Sequence, residues 1–445
     1  MSVSMKENAR TFHPASANDY IPQEQLYWLQ LERLKETVVR AYRGQECGLF
    51  KERMDKAGVL PGDIKTLDDI KRLPFSLKSD LRDTYPYGMF TVPRRDVVRL
   101  HASSGTTGKP IVVGYTKDDI DVWSDAMARC MAAVGLSKHD IIQVSYGYGL
   151  FTGGLGAHYG GERLGATVVP TSGGNTERQI MVMQDFEVTA VCCTPSYFIH
   201  IAEKAREMGL DINKLKVRAG VFGAEPWSES MRYRIQEETG VKAYDIYGLS
   251  EIIGPGVAIE CLEQNGLHVL EDYFYPEIID PDTLQPLPDG EEGELVLTTL
   301  SKRAIPMIRY RTRDITSIMP ERCSCGRTLR RIRRIGRRSD DMMIIRGVNV
   351  FPSQIEAAIM KVKGLTPHYQ IILTRDHGLD QMEIQVEVTP ELFGDRIREI
   401  ENLQKHIAHV VFSTININAK ITLTEPKSIA RSEGKAKRVI DKRGI

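Results

Sequence analysis

The chain has 445 residues, of which 42% are hydrophobic and 27% are charged, a composition typical of globular proteins and long enough for two to three domains. Its 59 Lys and Arg residues balance its 59 Asp and Glu residues, so it lacks the positive field that sequence-independent nucleic-acid binding requires. No window approaches the ~20 apolar residues that span a bilayer, and the N-terminus shows no signal-peptide core. We therefore expect a cytoplasmic protein that binds neither nucleic acid nor membrane.

The N-terminal region is predicted to contain a helix, two strands and a second helix. After Pro22 an apolar stripe recurs at helical spacing, formed by Tyr27, Leu31, Leu34 and Val38. Strand character follows at Val97 and again at Ile111. Thr116, with Asp119 three residues later, predicts the start of the second helix.

The segment between the two strands, SSGTTGKP, is predicted to bind phosphate. Its candidate residues are Ser103, Ser104, Gly105, Thr106, Thr107, Gly108 and Lys109. Glycine lets the backbone approach a polyphosphate, the hydroxyl groups add donors, and the lysine adds a charge. A Walker A loop is excluded because Lys109 is followed by Pro110 and a strand instead of Ser or Thr and a helix. The alternative is a Gly-rich hairpin without a ligand.

Between Ile141 and Glu251, apolar strand-like runs alternate with helical stretches, as in a mainly parallel sheet with helices on its faces. Ligands of such sheets lie beyond the carboxyl ends of strands. Here the segments GYGLFTGG, TPSY, GAEP and YGLSE follow four of the runs. From Cys261 to Ile318, shorter strands predict a small barrel or meander. We expect a large α/β domain with a small β-barrel-like subdomain.

An Arg-rich segment beginning at Arg322 marks a change in composition, and we place a domain boundary near Asp340. Beyond it, alternating strand and helix patterns predict a compact α+β domain. The predicted domains are therefore residues 1–339 and 340–445.

Four soft or borderline metal ligands form a separate candidate site. They are Cys261, His268, Cys323 and Cys325. Four such ligands without an open position are typical of structural Zn²⁺. Free thiols are the alternative, because CxC is less specific than CxxC and the two halves lie far apart in the sequence.

Three strings together resemble the adenylate-forming superfamily of acyl-CoA synthetases, luciferases and peptide-synthetase adenylation domains. They are SSGTTGKP, YGLSE at Tyr247 and YRTRD at Tyr310. The C-terminal strings SDDMMIIRGVNVFPSQIE from Ser339 and RSEGKAKRVIDKR from Arg431 look very much like those of the phenylacetate-CoA ligases. The resemblance extends from about Tyr20 to the end of the chain, in the same motif order.

The resemblance implies an ATP site. SSGTTGKP would hold the phosphates, Glu251 would bind Mg²⁺, and Asp314 would accept hydrogen bonds from the ribose. Adenine would be bordered by Ala224, Glu225 and Pro226. The expected site is completed by Asp245, Tyr247, Gly248, Ser250, Arg337 and Asp340. Taken singly, Glu251 could instead be an acid at a helix start, and Asp314 a surface ion-pair partner.

The resemblance also implies two catalytic steps on one site. Lys435 matches the catalytic lysine, whose charge would offset the repulsion between a carboxylate and the α-phosphate; considered alone it would belong to a solvated basic tail. The mobile C-terminal domain would then reorient about Asp340 and present the loop IIRGVNVF for attack by the CoA thiol. The family string GRSDD is altered here, so Arg337 and Arg338 both remain candidates for the nucleotide contact.

The acid is expected to bind along GYGLFTGG. Tyr146, Tyr148 and Phe151 would supply flat walls, and Gly149 and Gly153 would leave space for a ring. An aromatic acid fits this composition better than a long acyl chain. The alternative is that the aromatic side chains belong to the core.

The implied activity is ATP-dependent, AMP-forming ligation of an aryl acid, phenylacetate above others, to coenzyme A. The implied cofactors are ATP, Mg²⁺ and CoA, with structural Zn²⁺ and a possible homodimer. The alternatives are an adenylyl or acyl transferase with a non-CoA acceptor and, third, a nucleotide-binding regulator. The segment from Arg327 to Arg338 could steer CoA phosphates or form a solvated charged face.

Overall fold

A computed structural model describes residues 13–44, 48–103, 110–339, 341–346, 348–376, 379–393, 397–432 and 436–443. Among these residues no helix has the length and apolar character needed to cross a membrane.

The α-helices before residue 340 include the two predicted in the N-terminal region. They are α1 (Gln23–Arg43), α2 (Leu49–Ala57), α3 (Lys78–Asp83), α4 (Lys117–Ala133), α5 (Gly153–Leu164), α6 (Thr176–Asp185), α7 (Pro195–Glu207) and α8 (Glu229–Thr239). The stripe on α1 is buried at Leu31, Leu34 and Val38. α4 begins with a reciprocal cap in which Thr116 Oγ1 accepts from the Asp119 amide and Asp119 Oδ2 accepts from the Thr116 amide.

A hairpin and a nine-stranded sheet form the centre of the large N-terminal part. The hairpin pairs β1 (Arg99–Ser103) with β2 (Ile111–Tyr115). The sheet contains β3 (Ile141–Val144), β4 (Thr167–Val169), β5 (Ala190–Cys193), β6 (Ala219–Gly223), β7 (Lys242–Leu249), β8 (Gly254–Glu260) and β9 (Leu267–Val269). The strands β4, β3, β5, β6 and β7 are parallel neighbours in that order. This confirms the predicted parallel sheet.

The segment after Cys261 forms a four-stranded meander and also adds strands to the large sheet. It contains β10 (Phe274–Ile279), β11 (Gly293–Thr299), β12 (Tyr310–Thr316), β13 (Ile318–Met319), β14 (Arg331–Ile332) and β15 (Arg337–Arg338). The order β10-β11-β12-β15 makes an antiparallel four-stranded sheet, whereas β9, β14 and β13 extend the nine-stranded sheet beyond β8. The chain from 261 to 318 is therefore divided between two sheets.

The C-terminal part is an α+β unit with its own hydrophobic core, in which Ile371, Ile384 and Val411 are among the fully buried side chains. Its elements are β16 (Met343–Ile345), β17 (Val348–Val350), α9 (Pro352–Ile359), β18 (Leu365–Asp376), β19 (Leu379–Val388), α10 (Pro390–Phe393), α11 (Ile397–Ile415), β20 (Lys420–Thr424) and β21 (Val439–Asp441). The four-stranded sheet has the order β20-β19-β18-β21. The proposed boundary residue, Asp340, lies outside the described residues.

Candidate active site

A cavity of about 490 Å³ lies between the N-terminal and C-terminal parts. Its N-terminal wall follows β6 and β7, at the carboxyl ends where parallel sheets place ligands. The predicted residues that it brings together are Ala224, Glu225, Pro226, Asp245, Tyr247, Gly248, Asp314 and Arg337. The C-terminal part contributes Phe351, the last residue of the loop IIRGVNVF. It also contributes Glu356, Tyr369, Ala436 and Arg438, which the sequence analysis did not assign to the site.

The segment after β6 is held in an unusual conformation. Ala224 has φ +71°, a left-handed conformation that costs a non-glycine residue of order 1–3 kcal/mol. Glu225 accepts hydrogen bonds from the Ser196 amide at 2.8 Å and from the Ala436 amide at 3.0 Å. Burial raises the pKa of Glu225. The Glu225 carboxylate therefore connects the two parts of the protein, and the adjoining residues Ala224 and Pro226 line the cavity.

Asp314 lies where β7, β12 and β15 meet. Tyr247 donates a 2.6 Å hydrogen bond to Asp314 Oδ2. Burial, reinforced by the negative charge of Asp314, raises the pKa of Tyr247 well above its usual value. Arg338 is the register partner of Asp314 and places Nη1 3.5 Å from Oδ1. Arg337 instead pairs with Glu292, so Arg338 is the arginine that contacts the candidate ribose acceptor.

Asp245 lines the cavity, but both of its oxygens have protein partners. Oδ1 accepts from Trp227 Nε1 at 3.1 Å and Oδ2 from Arg334 Nε at 3.0 Å. The Arg334 guanidinium lies 4.4 Å from the Trp227 ring centroid. Asp245 therefore orients the cavity wall formed by Trp227.

The YGLSE segment turns sharply after β7. A Cβ at Gly248 would lie 2.0 Å from the Gly254 carbonyl oxygen, so a side chain is excluded there. The Ser250 hydroxyl lies 3.3 Å from that of Thr152.

Glu251 is only 5% exposed and lies near two lysines. Its Oε1 lies 3.3 Å from Lys78 Nζ, and its backbone oxygen accepts from Lys302 Nζ at 3.3 Å. Lys302 is 1% exposed. The sequence analysis missed both lysines, because each comes from a segment without any motif.

The predicted phosphate segment begins at Ser103, the last residue of β1, which pairs with Ile111. Ser104, Gly105, Thr106, Thr107, Gly108 and Lys109 lie outside the described residues. The Ala102 amide donates to Leu150 O at 3.0 Å. Because the Leu150 loop continues to Thr152 and its contact with Ser250, the end of β1 and the YGLSE segment lie close together.

Only some of the residues predicted to line the acid pocket are available for that role. Tyr146 is 7% exposed, and its hydroxyl donates to Cys193 O at 2.7 Å and accepts from the Gly223 amide at 3.1 Å. Tyr146 is therefore a core residue that joins three strands, although its ring still lies 6.2 Å from that of Phe151. The space that Gly153 leaves is occupied by the ring of Phe151, because a Cβ there would lie 2.4 Å from it.

Three of the proposed pocket residues keep an open side. Gly149 has no atom within 4 Å of a built Cβ, and Phe151 is 44% exposed. The Tyr148 hydroxyl lies 3.3 Å from His158 Nδ1. Tyr148 is half-buried, whereas Gly149 and Phe151 are exposed.

The four predicted metal ligands meet at one point. The ligand atoms of Cys261, His268, Cys323 and Cys325 all lie within 4.8 Å of one another. His268 Nδ1 lies 3.2 Å from Leu329 O and Nε2 3.4 Å from Cys325 Sγ. A carbonyl partner on Nδ1 fixes the tautomer that offers Nε2 to a metal.

The Arg-rich segment is mainly an internal ion-pair region. Arg327 pairs with Asp19, Arg330 with Glu271, and Arg334 with Asp245 and Glu229. The side chains of Arg327 and Arg334 are 8% and 15% exposed, and that of Arg330 is 31% exposed. The acidic partners come from distant segments, so the local sequence carried no sign of them.

Two protein-family models and a curated relative match this chain. The family model described as AMP-binding enzyme matches residues 52–301, and that of the AMP-binding enzyme C-terminal domain matches residues 347–443. The phenylacetate-coenzyme A ligase of Pseudomonas putida is 51% identical over 419 residues, which are 93% of each chain.

Solved structures of 2-hydroxyisobutyryl-CoA ligase distinguish two arrangements. The complex with 2-HIB-AMP in the postadenylation state aligns with a TM-score of 0.90 at 30% identity, over 98% of this chain and 95% of that one. The complex with 2-HIB-AMP and CoA in the thioesterification state aligns with a TM-score of 0.70 at 30% identity, over 97% and 94% of the two chains. The arrangement seen here is therefore similar to the postadenylation state.

Proposed function

Because the chain belongs to the AMP-binding enzymes and, among them, to the phenylacetate-CoA ligases, we propose that phenylacetate is the acid that it activates. The enzyme is an AMP-forming acid-CoA ligase: it uses ATP to convert an acid to an acyl adenylate and transfers the acyl group to CoA. The observation that carries the choice of acid is the 51% identity to a phenylacetate-coenzyme A ligase over 93% of the chain.

In the first step a carboxylate oxygen attacks the α-phosphorus and pyrophosphate leaves. Two anions meet in this step, so cationic side chains are the largest expected contribution of the protein. We assign that role to Lys435, which lies outside the described residues, next to Ala436 at the cavity wall. Asp314, held by Tyr247 and Arg338, would accept hydrogen bonds from the ribose hydroxyl groups.

In the second step the CoA thiolate attacks the acyl carbon and AMP leaves. We propose that the C-terminal part changes its orientation between the steps, with Asp340 as the hinge. The unequal TM-scores against the two states of 2-hydroxyisobutyryl-CoA ligase support this. In the arrangement seen here, Ala436 lies at the cavity, which fits the adenylating step.

Two metals complete the proposal. Mg²⁺ would accompany ATP at Glu251, a buried carboxylate with the oxygen ligands that a hard cation prefers, and would neutralise phosphate charge. Zn²⁺ would bind Cys261, His268, Cys323 and Cys325 in a structural role. The close approach of three thiols and an imidazole oriented by a carbonyl supports the zinc proposal.

The test is pyrophosphate release measured over a panel of aryl and alkyl acids, with and without CoA. We expect phenylacetate to give the highest kcat/KM and phenylacetyl-CoA to appear only with CoA. A higher kcat/KM for an alkyl acid would contradict the assignment of the acid but not the ligase activity.

A further inference from the structure

The carboxylate of Glu203 connects the N-terminal and C-terminal parts at a place outside the cavity. Glu203, on α7 of the N-terminal part, accepts from His368 Nε2 with its two oxygens 2.9 and 3.1 Å away. Its Oε2 also lies 3.5 Å from Arg431 Nε. His368 lies on β18 and Arg431 follows β20, so a single N-terminal side chain contacts two segments of the C-terminal part.

Arg431 connects this contact to the proposed catalytic lysine. Its Nη1 and Nη2 bind the two oxygens of Glu387, at 2.6 and 2.8 Å, and Glu387 is fully buried within the C-terminal part. Arg431 precedes Lys435 by four residues in the sequence. The position of Arg431 therefore limits the positions that Lys435 can reach.

The Glu203 contact is shielded from water. The side chains of Glu203, His368 and Arg431 are 24%, 9% and 16% exposed. Burial by itself would raise the pKa of Glu203, but the hydrogen bond from His368 and the charges of His368 and Arg431 outweigh it and lower that pKa. Charge-assisted hydrogen bonds in such surroundings are about twice as strong as neutral ones.

A second ion pair between the two parts is more exposed to solvent, and we therefore expect it to contribute less binding energy. Lys427 Nζ lies 2.6 Å from Glu207 Oε1, but the two side chains are 68% and 39% exposed. Exposed ion pairs contribute about 0–1 kcal/mol. Glu203 is therefore the stronger of the two described carboxylates on α7 that contact the C-terminal part.

We infer that Glu203 is a positioning residue for adenylation, which holds the C-terminal part in the adenylating arrangement through His368 and Arg431. The inference rests on the proposed two-step function. An equilibrium between two arrangements shifts only through contacts that differ between them. Separation of the two parts would break the Glu203 contacts. The ion pair between Arg431 and Glu387 would remain intact, because both residues belong to the C-terminal part.

The test compares Glu203→Gln and His368→Gln, singly and together, in the full-length enzyme. Adenylation is measured as phenylacetate-dependent exchange of pyrophosphate into ATP, and the second step as thioester formation from supplied phenylacetyl-AMP and CoA. We expect each single variant to lower exchange about tenfold, equivalent to about 1.4 kcal/mol, and to leave thioester formation unchanged or faster. The double variant should lose little more exchange activity than Glu203→Gln alone, because both substitutions remove the same contact.

Glu177→Gln is the matched control. Glu177 lines the same interdomain cleft but pairs with Lys204 of its own part, so both half-reactions should keep their rates. Unchanged exchange in both single variants, or equal loss of both half-reactions, would overturn the inference. If the unchanged enzyme shows no phenylacetate-dependent exchange, the proposed function fails, and the inference fails with it.

Discussion

The hydroxyl of Tyr247 donates a 2.6 Å hydrogen bond to Oδ2 of Asp314. This bond joins the end of β7 to β12 and so connects the nine-stranded sheet to the meander. It also fixes the carboxylate beside Arg338, at a wall of the cavity. The candidate ribose acceptor is therefore oriented before a nucleotide arrives, which reduces the ordering cost of binding.

Tyr247→Phe should weaken ATP binding. The change removes one hydrogen bond to a charged group, an interaction of about 1.5–3 kcal/mol, so we expect KM for ATP to rise about tenfold while the KM for the acid changes little. Steady-state kinetics checks this. Tyr273→Phe, which removes a buried tyrosine's hydrogen bond to Asp125 away from the cavity, should leave KM for ATP unchanged. An equal rise in this variant would point to a general structural effect.

Arg338→Gln and Arg337→Gln should differ in their effect on nucleotide affinity. Arg338 contacts Asp314, whereas Arg337 pairs with the exposed Glu292. We expect the Arg338 variant to bind ATP at least five times more weakly, since it removes a charge beside the ribose acceptor, and the Arg337 variant to stay within twofold. Calorimetric titration with ATP measures both. The reverse order would assign the nucleotide contact to Arg337.

Lys435→Ala should separate the half-reactions. Loss of the positive charge at the meeting of carboxylate and α-phosphate is expected to slow adenylation about 10²-fold to 10³-fold or more. Thioester formation from supplied phenylacetyl-AMP should be spared. Lys437→Ala is the control in the same basic segment. Equal loss of both half-reactions would refute the assignment of Lys435 to the first step alone.

Cys323→Ala should release metal and lower the thermal midpoint, because a structural zinc site with three ligands left binds far less tightly. Metal content by mass spectrometry and a thermal scan check the two effects. Cys192→Ala is the control: Cys192 is a buried thiol of β5, so that variant should lose stability and keep its metal. Stoichiometric zinc in purified Cys323→Ala would remove Cys323 from the ligand set.

We expect the buried Lys302 to increase the free energy of unfolding as the pH becomes alkaline. Burial lowers its pKa to about 8, partly opposed by the charges of Asp119 and Glu251, against about 10.4 for an unfolded lysine. Between these values the unfolded chain binds a proton that the folded protein does not, so unfolding becomes less favourable as pH rises.

Thermal midpoints from pH 7 to 10 test this effect. The midpoint of the unchanged protein minus that of Lys302→Met should increase across this range. Lys117→Met, at a lysine that is 70% exposed, should give a flat difference. A flat difference for Lys302→Met as well would mean that Lys302 titrates like an exposed lysine.

Much of the fold could be predicted because its signals are local. The parallel strands β3 to β7 are apolar runs between helical stretches, and the cap at Thr116 needs only a spacing of three. β9 and β14 were not predicted as members of the large sheet. They contain three and two residues, too few for a side-chain alternation to be recognised.

The candidate sites were predictable where residue types are rare in combination, as in the cluster of three cysteines and one histidine. It was not predictable where a partner comes from elsewhere in the chain. Tyr146 stands next to glycines like a pocket residue, yet its hydroxyl bonds β5 and β6. Lys302 has no motif, and only its burial beside Glu251 marks it.

The cavity has walls from both parts of the chain, Tyr247 and Asp314 on one side and Phe351 and Arg438 on the other. A bound nucleotide would therefore share its contact energy between them. By linkage, nucleotide binding would favour the arrangement in which both parts contribute to the cavity. A probe of the distance between the two parts would then report ligand saturation without any chemical turnover.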